Sequence, residues 1–304
     1  MEKTGFVTIV LAAGKGTRMK SRLPKVLHKA AGKPMVQHVL DAAKAAGARR
    51  QIVVTGFGGA MVREAIGSQA ECVVQKEQLG TGHAVLQAKE LLAGEKGTLM
   101  VLCGDTPLLT PAALEKLAHE HEQQHAKATI LTAIFGDATG YGRIIRDADG
   151  SVMKIVEQKD ASEEEKKVLE ANAGIYCFDI EALFAALAKV TNDNAQGEYY
   201  LPDVIAILKN AGEKIWATAA DDAEDTLGIN SRLQLAGAEK ILRRRKCEEL
   251  MADGVTIMDP ATTYVDVDVK VGRDTVLYPM TWLEAGTEIG EGCEIGPSVC
   301  FQNV

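Results

Sequence analysis

A chain of 304 residues, 46% of them hydrophobic, is long enough to bury one large core or two smaller ones. Its net charge of −8 argues against nonspecific nucleic-acid binding, and cations must be concentrated locally wherever phosphates bind. No apolar stretch reaches transmembrane length and no signal-peptide pattern opens the chain, while six cysteines without a Cys-x-x-Cys pair read as reduced thiols, so a cytoplasmic enzyme without a membrane partner is expected.

Up to about residue 135 strand and helix patterns alternate. Apolar or β-branched runs lie at 7–11, 51–55, 72–75, 99–103 and 129–135, and helix-like stretches at 34–46, 60–66, 81–92 and 111–125. Pro34 and Pro111 stand near helix starts, and Gly47 and Gly94 follow helix ends. Such alternation predicts right-handed crossovers and a mostly parallel sheet with helices on both faces, a Rossmann-like α/β layout. Ligands in these sheets sit outside the carboxyl ends of the strands, where the polar motifs fall here.

The first of those motifs directly follows the first strand: Leu11-Ala12-Ala13-Gly14-Lys15-Gly16-Thr17-Arg18-Met19, then Leu23-Pro24-Lys25. Gly14 and Gly16 let the backbone turn tightly and present N–H groups to an anion. Lys15, Arg18 and Lys25 add three cations, a combination suited to a triphosphate. A dinucleotide fingerprint would need glycine where Met19 stands, and no P-loop pattern occurs in the chain. A plain Gly-rich surface turn would account for Gly14-x-Gly16 but not for the attached cations.

After the third strand comes Gln75-Lys76-Glu77-Gln78-Leu79-Gly80-Thr81-Gly82-His83. The Gln75 amide can match the N3–H and carbonyl edge of uracil, and Thr81 can cap the next helix whether or not a ligand is bound. The fourth strand ends in Cys103-Gly104-Asp105-Thr106-Pro107. A carboxylate there needs a partner; Mg²⁺, which takes one or two carboxylates and fills its shell with phosphate and water, is a natural one, a turn or cap the plainer alternative. Further on, Gly140-Tyr141-Gly142-Arg143, Glu157-Gln158-Lys159-Asp160 and Asn172-Ala173-Gly174 offer a backbone amide, a carboxylate and a side-chain amide to one polar ligand. Taken singly, each is only a turn or strand end. His119, His121 and His125 lie on an acidic, Gln-rich stretch with no evident third metal ligand, and read as solvated surface.

Residues 231–254 predict one long helix carrying Leu233, Leu235, Ile241, Leu242 and Leu250, with Arg243-Arg244-Arg245-Lys246 on an exposed face, ended by Gly254. Beyond it Val265, Val271, Leu277, Leu283, Ile289, Ile295 and Phe301 recur at every sixth residue. Hexapeptide spacing predicts a parallel β-helix, and the stretch from 255 to 304 suffices for about two triangular coils of the left-handed form.

The opening Leu-Ala-Ala-Gly-x-Gly-Thr-Arg-Met with its Pro-Lys resembles the sugar-1-phosphate nucleotidyltransferases, and the later motifs resemble the uridylyltransferase part of the bacterial bifunctional N-acetylglucosamine-1-phosphate uridylyltransferases and glucosamine-1-phosphate acetyltransferases. The resemblance implies a nucleotidyltransferase domain over residues 1–230, a linker helix at 231–254, and from 255 to 304 the start of a β-helix that is truncated here. It implies Mg²⁺-dependent transfer of uridylyl from UTP to N-acetyl-α-D-glucosamine 1-phosphate, giving UDP-N-acetylglucosamine and diphosphate. Arg18 and Lys25 are then catalytic; Leu11, Ala12, Ala13, Gly14, Lys15, Gly16, Gln75, Gly80 and Thr81 bind UTP; Gly104, Gly142, Glu157, Asn172 and Tyr199 bind the sugar phosphate. Asp105 and Asn230 hold the metal. Family members commonly carry Tyr where Cys103 stands and Thr where Ala173 stands. The residues for acetyl transfer lie outside this chain, so that activity is expected to be absent; a homotrimer through the β-helix is implied for the full-length relatives. Two other readings stay open, a sibling transferase for thymidine or glucose 1-phosphate and a non-catalytic scaffold, although loss of Lys25 or Asp105 would be expected in the second.

Overall fold

The computed structural model describes residues 5–304. In chain order these form β1 (Phe6–Ala12), a small hairpin of β2 (Lys29–Ala30) and β3 (Lys33–Pro34), α1 (Met35–Ala45), β4 (Ala48–Thr55), α2 (Gly59–Ile66), β5 (Glu71–Val74), α3 (Thr81–Leu86), β6 (Thr98–Cys103), α4 (Pro111–Gln123) and β7 (Ala128–Ile134). There follow β8 (Arg143–Arg146), β9 (Val152–Val156), β10 (Glu170–Asp179), α5 (Ile180–Leu187), α6 (Asp203–Asn210), β11 (Ile215–Ala219) and α7 (Arg232–Ala252). Eight two-residue strands complete the chain: β12 (Thr256–Ile257), β13 (Tyr264–Val265), β14 (Lys270–Val271), β15 (Val276–Leu277), β16 (Trp282–Leu283), β17 (Glu288–Ile289), β18 (Glu294–Ile295) and β19 (Cys300–Phe301). The chain divides into two compact units, one of the residues up to Val26 with Val36–Gly228, the other of Leu27–Met35 with Ile229–Val304.

The first unit is built on one sheet of strand order β11-β7-β10-β6-β1-β4-β5. β6, β1, β4 and β5 run parallel, with Ile9 opposite Ile52 on one side and Val101 on the other. Val7, Ile9 and Val10 are fully buried, as is the intervening Thr8, so both faces of the sheet are covered. Val85 of α3, Leu183 of α5 and Val204 of α6 pack with Val7, Ile9, Val54 and Val101 in one apolar cluster. Helix starts follow the capping chemistry of their sequence. Thr110 Oγ1 accepts from the Ala113 N–H with Pro111 in the first turn of α4, and Asp179 Oδ1 accepts from the Ala182 N–H of α5.

The sheet is mostly parallel, with one interruption. β10 runs antiparallel to both β6 and β7, setting Tyr176 opposite Val101 and Ile130, and the β8–β9 ribbon leaves the sheet from it. The polar motifs lie just past the carboxyl ends of β1, β5 and β6.

Two expectations about helix faces are corrected. α4 buries Leu114, Leu117 and His121 together, so His121 faces the sheet and its Nδ1 lies 2.9 Å from Thr129 Oγ1. His125 lies beyond the helix in a left-handed turn at φ 48°, off that face. In the second unit, Ser231 caps α7 through its Oγ and the Gln234 N–H, but Leu233 is exposed. The basic run is not uniformly exposed either: the Lys246 stem is buried with its Nζ on Glu249, and the Arg243 guanidinium lies 4.2 Å above the Tyr264 ring.

The every-sixth-residue pattern becomes three parallel ladders, β12-β15-β18, β13-β16-β19 and β14-β17. Paired residues are eighteen apart along most rungs (264 to 282, 270 to 288, 276 to 294, 282 to 300). Val265, Leu277 and Leu283 are fully buried with Cys247 and Leu250 of α7, which gives this unit its own core.

Candidate active site

Three strand ends of the first unit converge on a cleft of about 260 Å³. Leu11, Ala12, Ala13 and Gly14 come from the end of β1, Gln75, Gly80 and Thr81 from the β5–α3 turn, and Asp105 from the end of β6. Lys25 reaches the same cleft, and its ammonium is ion-paired to the Asp105 carboxylate. Nothing in the sequence announced that pairing across 80 positions.

Local glycines explain how the backbones approach so closely. Gly16 has φ +58°, and a Cβ there would fall 2.6 Å from Lys25 Cβ, so only glycine lets the Gly14–Gly16 turn fold against Lys25. Lys15 and Arg18 stand exposed on the same turn, Arg18 in the short 3₁₀ helix Thr17–Met19. Gly80 at φ +108° would strike the Tyr199 backbone with a Cβ at 2.5 Å. The 197–201 segment therefore lies along the β5–α3 turn. Tyr199 N–H donates to Leu79 O, Tyr199 O accepts from Gly82 N–H, and Thr81 Oγ1 accepts from Leu201 N–H.

Gln75 is 3% exposed at the cleft. Its Nε2 lies 3.0 Å from Gly80 O and 3.0 Å from His83 Nδ1. Gly142, Glu157 and Asn172 form a second group at the β8, β9 and β10 junction. Gly142 O accepts from the Asn172 N–H at 2.9 Å, and a Cβ on Gly142 would lie 3.4 Å from Glu157 Oε1. Asn172 Nδ2 donates to Tyr176 Oη at 2.6 Å while its Oδ1 accepts from the Gly174 N–H. Burial, then the negative charges of Asp160, Asp203 and Glu198, push the Glu157 carboxyl above its ordinary range. The buried Arg143 guanidinium donates to Tyr141 O and so braces the 140–142 turn.

Cys103 joins the two groups. It lines the cleft, its Sγ donates to Gly174 O at 3.4 Å, and burial followed by the Asp105 charge pushes its thiol up to about 12. At neutral pH it is a polarisable neutral filler and no nucleophile. Asn230 belongs to the second unit, where its backbone N–H donates to Gln234 Oε1. Gln78, inside the 75–83 motif, and Glu198, beside Tyr199, also line the cleft, although neither was given a role of its own.

Asp105 supplies hard carboxylate oxygens, and no cluster of three or more His, Cys, Asp or Glu able to cage a metal occurs among the described residues. That donor set fits a hard cation whose shell is completed by substrate phosphate and water. No helix among the described residues is long and apolar enough to cross a membrane.

A Gly-Lys-Gly turn with exposed cations, a buried amide and a strand-end carboxylate beside lysine together define an α/β nucleotide-binding protein that handles phosphoryl groups. The family is equally plain: residues 7–285 match the nucleotidyl transferase family, and the chain belongs to it. It is 55% identical over 295 residues to the bifunctional protein GlmU of an Exiguobacterium species, covering 97% of this chain and 65% of that protein. It is also 55% identical over 293 residues to the bifunctional protein GlmU of Caldanaerobacter subterraneus subsp. tengcongensis, covering 96% of this chain and 64% of the relative. The chain thus spans about 65% of the length of the curated relatives it matches. A solved UDP-glucose pyrophosphorylase complexed with UDP-glucose superposes on 80% of this chain and all of its own with a TM-score of 0.63 at 18% identity, a likeness of fold.

Proposed function

We propose that this chain transfers uridylyl from UTP to N-acetyl-α-D-glucosamine 1-phosphate with Mg²⁺, releasing diphosphate. The observation that carries the reading is the convergence of the phosphate turn, Gln75 and the Lys25–Asp105 pair on one cleft, in a chain 55% identical to bifunctional GlmU proteins.

A phosphate oxygen of the sugar phosphate attacks the α-phosphorus of UTP, the bond to the β-phosphate oxygen breaks, and diphosphate leaves. The attacking group is already anionic, so no general base is required; positioning and charge neutralisation supply the catalysis. The Gly14–Gly16 amides with Lys15 and Arg18 hold the β- and γ-phosphates. Lys25 neutralises the α-phosphate and the incoming sugar phosphate. Gln75 reads the base, with Leu11, Ala12, Ala13, Gly80 and Thr81 around the nucleoside. Gly104, Gly142, Glu157, Asn172 and Tyr199 bind the sugar phosphate. Asp105 would hold Mg²⁺, with Asn230 the second ligand that the family resemblance implies, and the ion would supply Lewis-acid charge stabilisation to the phosphates.

Residues 1–230 form the transferase domain and 231–254 the linker helix. The ladders from 255 to 304 are coils of a left-handed parallel β-helix, a reading supported by the rung offset of eighteen residues (264 to 282), three hexapeptides. A homotrimer formed through that helix is part of this proposal. A cytoplasmic setting suits both substrates.

The test is diphosphate release from the purified chain with Mg²⁺, crossing UTP and TTP with N-acetylglucosamine 1-phosphate and glucose 1-phosphate. Release confined to UTP with the N-acetylated sugar is expected. Preference for another pair overturns the pocket assignment, and no release with any pair overturns the activity.

A further inference from the structure

We propose that His83 is the positioning residue that fixes which end of the Gln75 amide faces the nucleotide base, and so sets uracil over cytosine; this deepens the uridylyl reading and rests on it. The Gly80 carbonyl oxygen can only accept a hydrogen bond, so the Gln75 atom 3.0 Å from it is the amide nitrogen. That same Nε2 lies 3.0 Å from His83 Nδ1. With one amide hydrogen on Gly80 O, the other points at Nδ1, which must then be the bare, accepting nitrogen of the ring.

A competitor sits on the far side of the imidazole. Gln87 Nε2 lies 3.1 Å from His83 Nε2 and 3.0 Å from His83 O, so two amide donors face a neutral ring that has a single lone pair to offer. Gln75 is 3% exposed and held at its backbone by Thr55 O, whereas Gln87 is half-exposed at the C-cap of α3 and can swing off the ring nitrogen while its Nε2 keeps the bond to His83 O. The buried claim prevails: His83 carries its proton on Nε2 and gives Nδ1 to Gln75.

The consequence reaches the cleft. With Nε2 held by two acceptors, the end of the amide left for a ligand is Oε1, which takes no hydrogen bond from the described residues although Gln75 is nine-tenths buried and lines the cleft. A carbonyl oxygen accepts from the N3–H of uracil or thymine. It repels the N3 lone pair of cytosine, and a site whose buried polar group is left facing a like partner rejects that ligand strongly. His83 touches no base itself; it acts through Gln75.

Two measurements on the whole chain test this. Nitrogen-15 correlation spectra of the imidazole at neutral pH are expected to show Nε2 protonated and Nδ1 bare; the reverse tautomer overturns the proposal. Second, the preference for UTP over CTP is measured by titration calorimetry and, with N-acetylglucosamine 1-phosphate, by kcat/KM. The H83N variant keeps an acceptor near the Nδ1 position and should hold the wild-type ratio. H83L removes it and should lower the ratio about 10-fold or more, through KM for UTP more than kcat. An unchanged ratio in H83L, or equal losses in H83N and H83L, overturns the proposal. Wild-type chain that binds UTP over CTP but releases no diphosphate would sink the uridylyl reading and leave the role of His83 standing.

Discussion

Gly16 and Lys25 sit close enough for one methyl group to separate them. An alanine at 16 would need a left-handed backbone at φ +58° and would put its Cβ 2.6 Å from Lys25 Cβ, so Lys25 must give way and leave Asp105. G16A is therefore expected to lower kcat/KM about tenfold or more while thermal unfolding, which depends on a core elsewhere, moves little. A kcat/KM near wild type would show that Lys25 has slack. Removing the cations outright is more severe. K25A and R18A are each expected to lose about 10²–10³ in turnover, the usual cost of one electrostatic contact to a developing charge, and near-normal turnover in either would remove that residue from the catalytic set. The tight turn at Gly14–Gly16 and its exposed cations were legible because glycine's backbone freedom and a charged side chain act at short range. The Lys25–Asp105 pair, the Cys103 bridge and the support of Gln75 by His83 depend on how distant segments meet, which spacing along the chain does not encode.

At the scale of elements, α4 shows what the histidines concealed. Leu114, Leu117 and His121 fall three and four apart, so the apolar stripe itself carried the signal that His121 faces inward. Burial, against the opposing pull of Asp179 and Glu122, depresses the His121 pKa from 6.5 to about 4. The folded chain thus binds fewer protons than the unfolded one between those values. Stability is complete above pH 6.5 and falls as the pH drops toward 4. Between pH 7 and 5 the loss from this residue is about 2 kcal/mol. Urea unfolding should show it: H121Q is expected to flatten the fall between pH 7 and 5 by about that amount relative to wild type, and parallel curves for the two proteins would assign the acid sensitivity elsewhere. The basic run of α7 misled for a related reason. Long cationic stems bury their methylenes and stack on rings, as Arg243 does on Tyr264, and a count of charges does not reveal it.

At the scale of the whole molecule, two kinds of regularity were unequally legible. The β–α alternation foretold the parallel strands β6, β1, β4 and β5, because each crossover is local. It did not foretell β10, which pairs antiparallel with β6 and β7 from far along the chain, since nothing periodic marks a strand inserted out of order. The hexapeptide pattern of the second unit, by contrast, maps residue by residue onto its ladders, and its energetics can be tested rung by rung. Leu277 is fully buried on the central strand of β12-β15-β18, with Ile257 paired on one side and Ile295 on the other. Phe301 is half-exposed and pairs on one side, with Leu283. L277A therefore opens a cavity between two rungs and should cost about 2–5 kcal/mol, whereas F301A leaves a gap that solvent can fill and should cost less. Hydrogen exchange can place the loss. In L277A the Met258 N–H, bonded to Leu277 O, and the Tyr278 N–H, bonded to Ile295 O, should both lose protection. In F301A the Glu284 N–H, bonded to Phe301 O, should lose protection while Met258 keeps its own. Equal losses at Met258 in both variants would mean that the ladders open as one cooperative block, and that Leu277 owes its weight to the block and not to its place between two rungs.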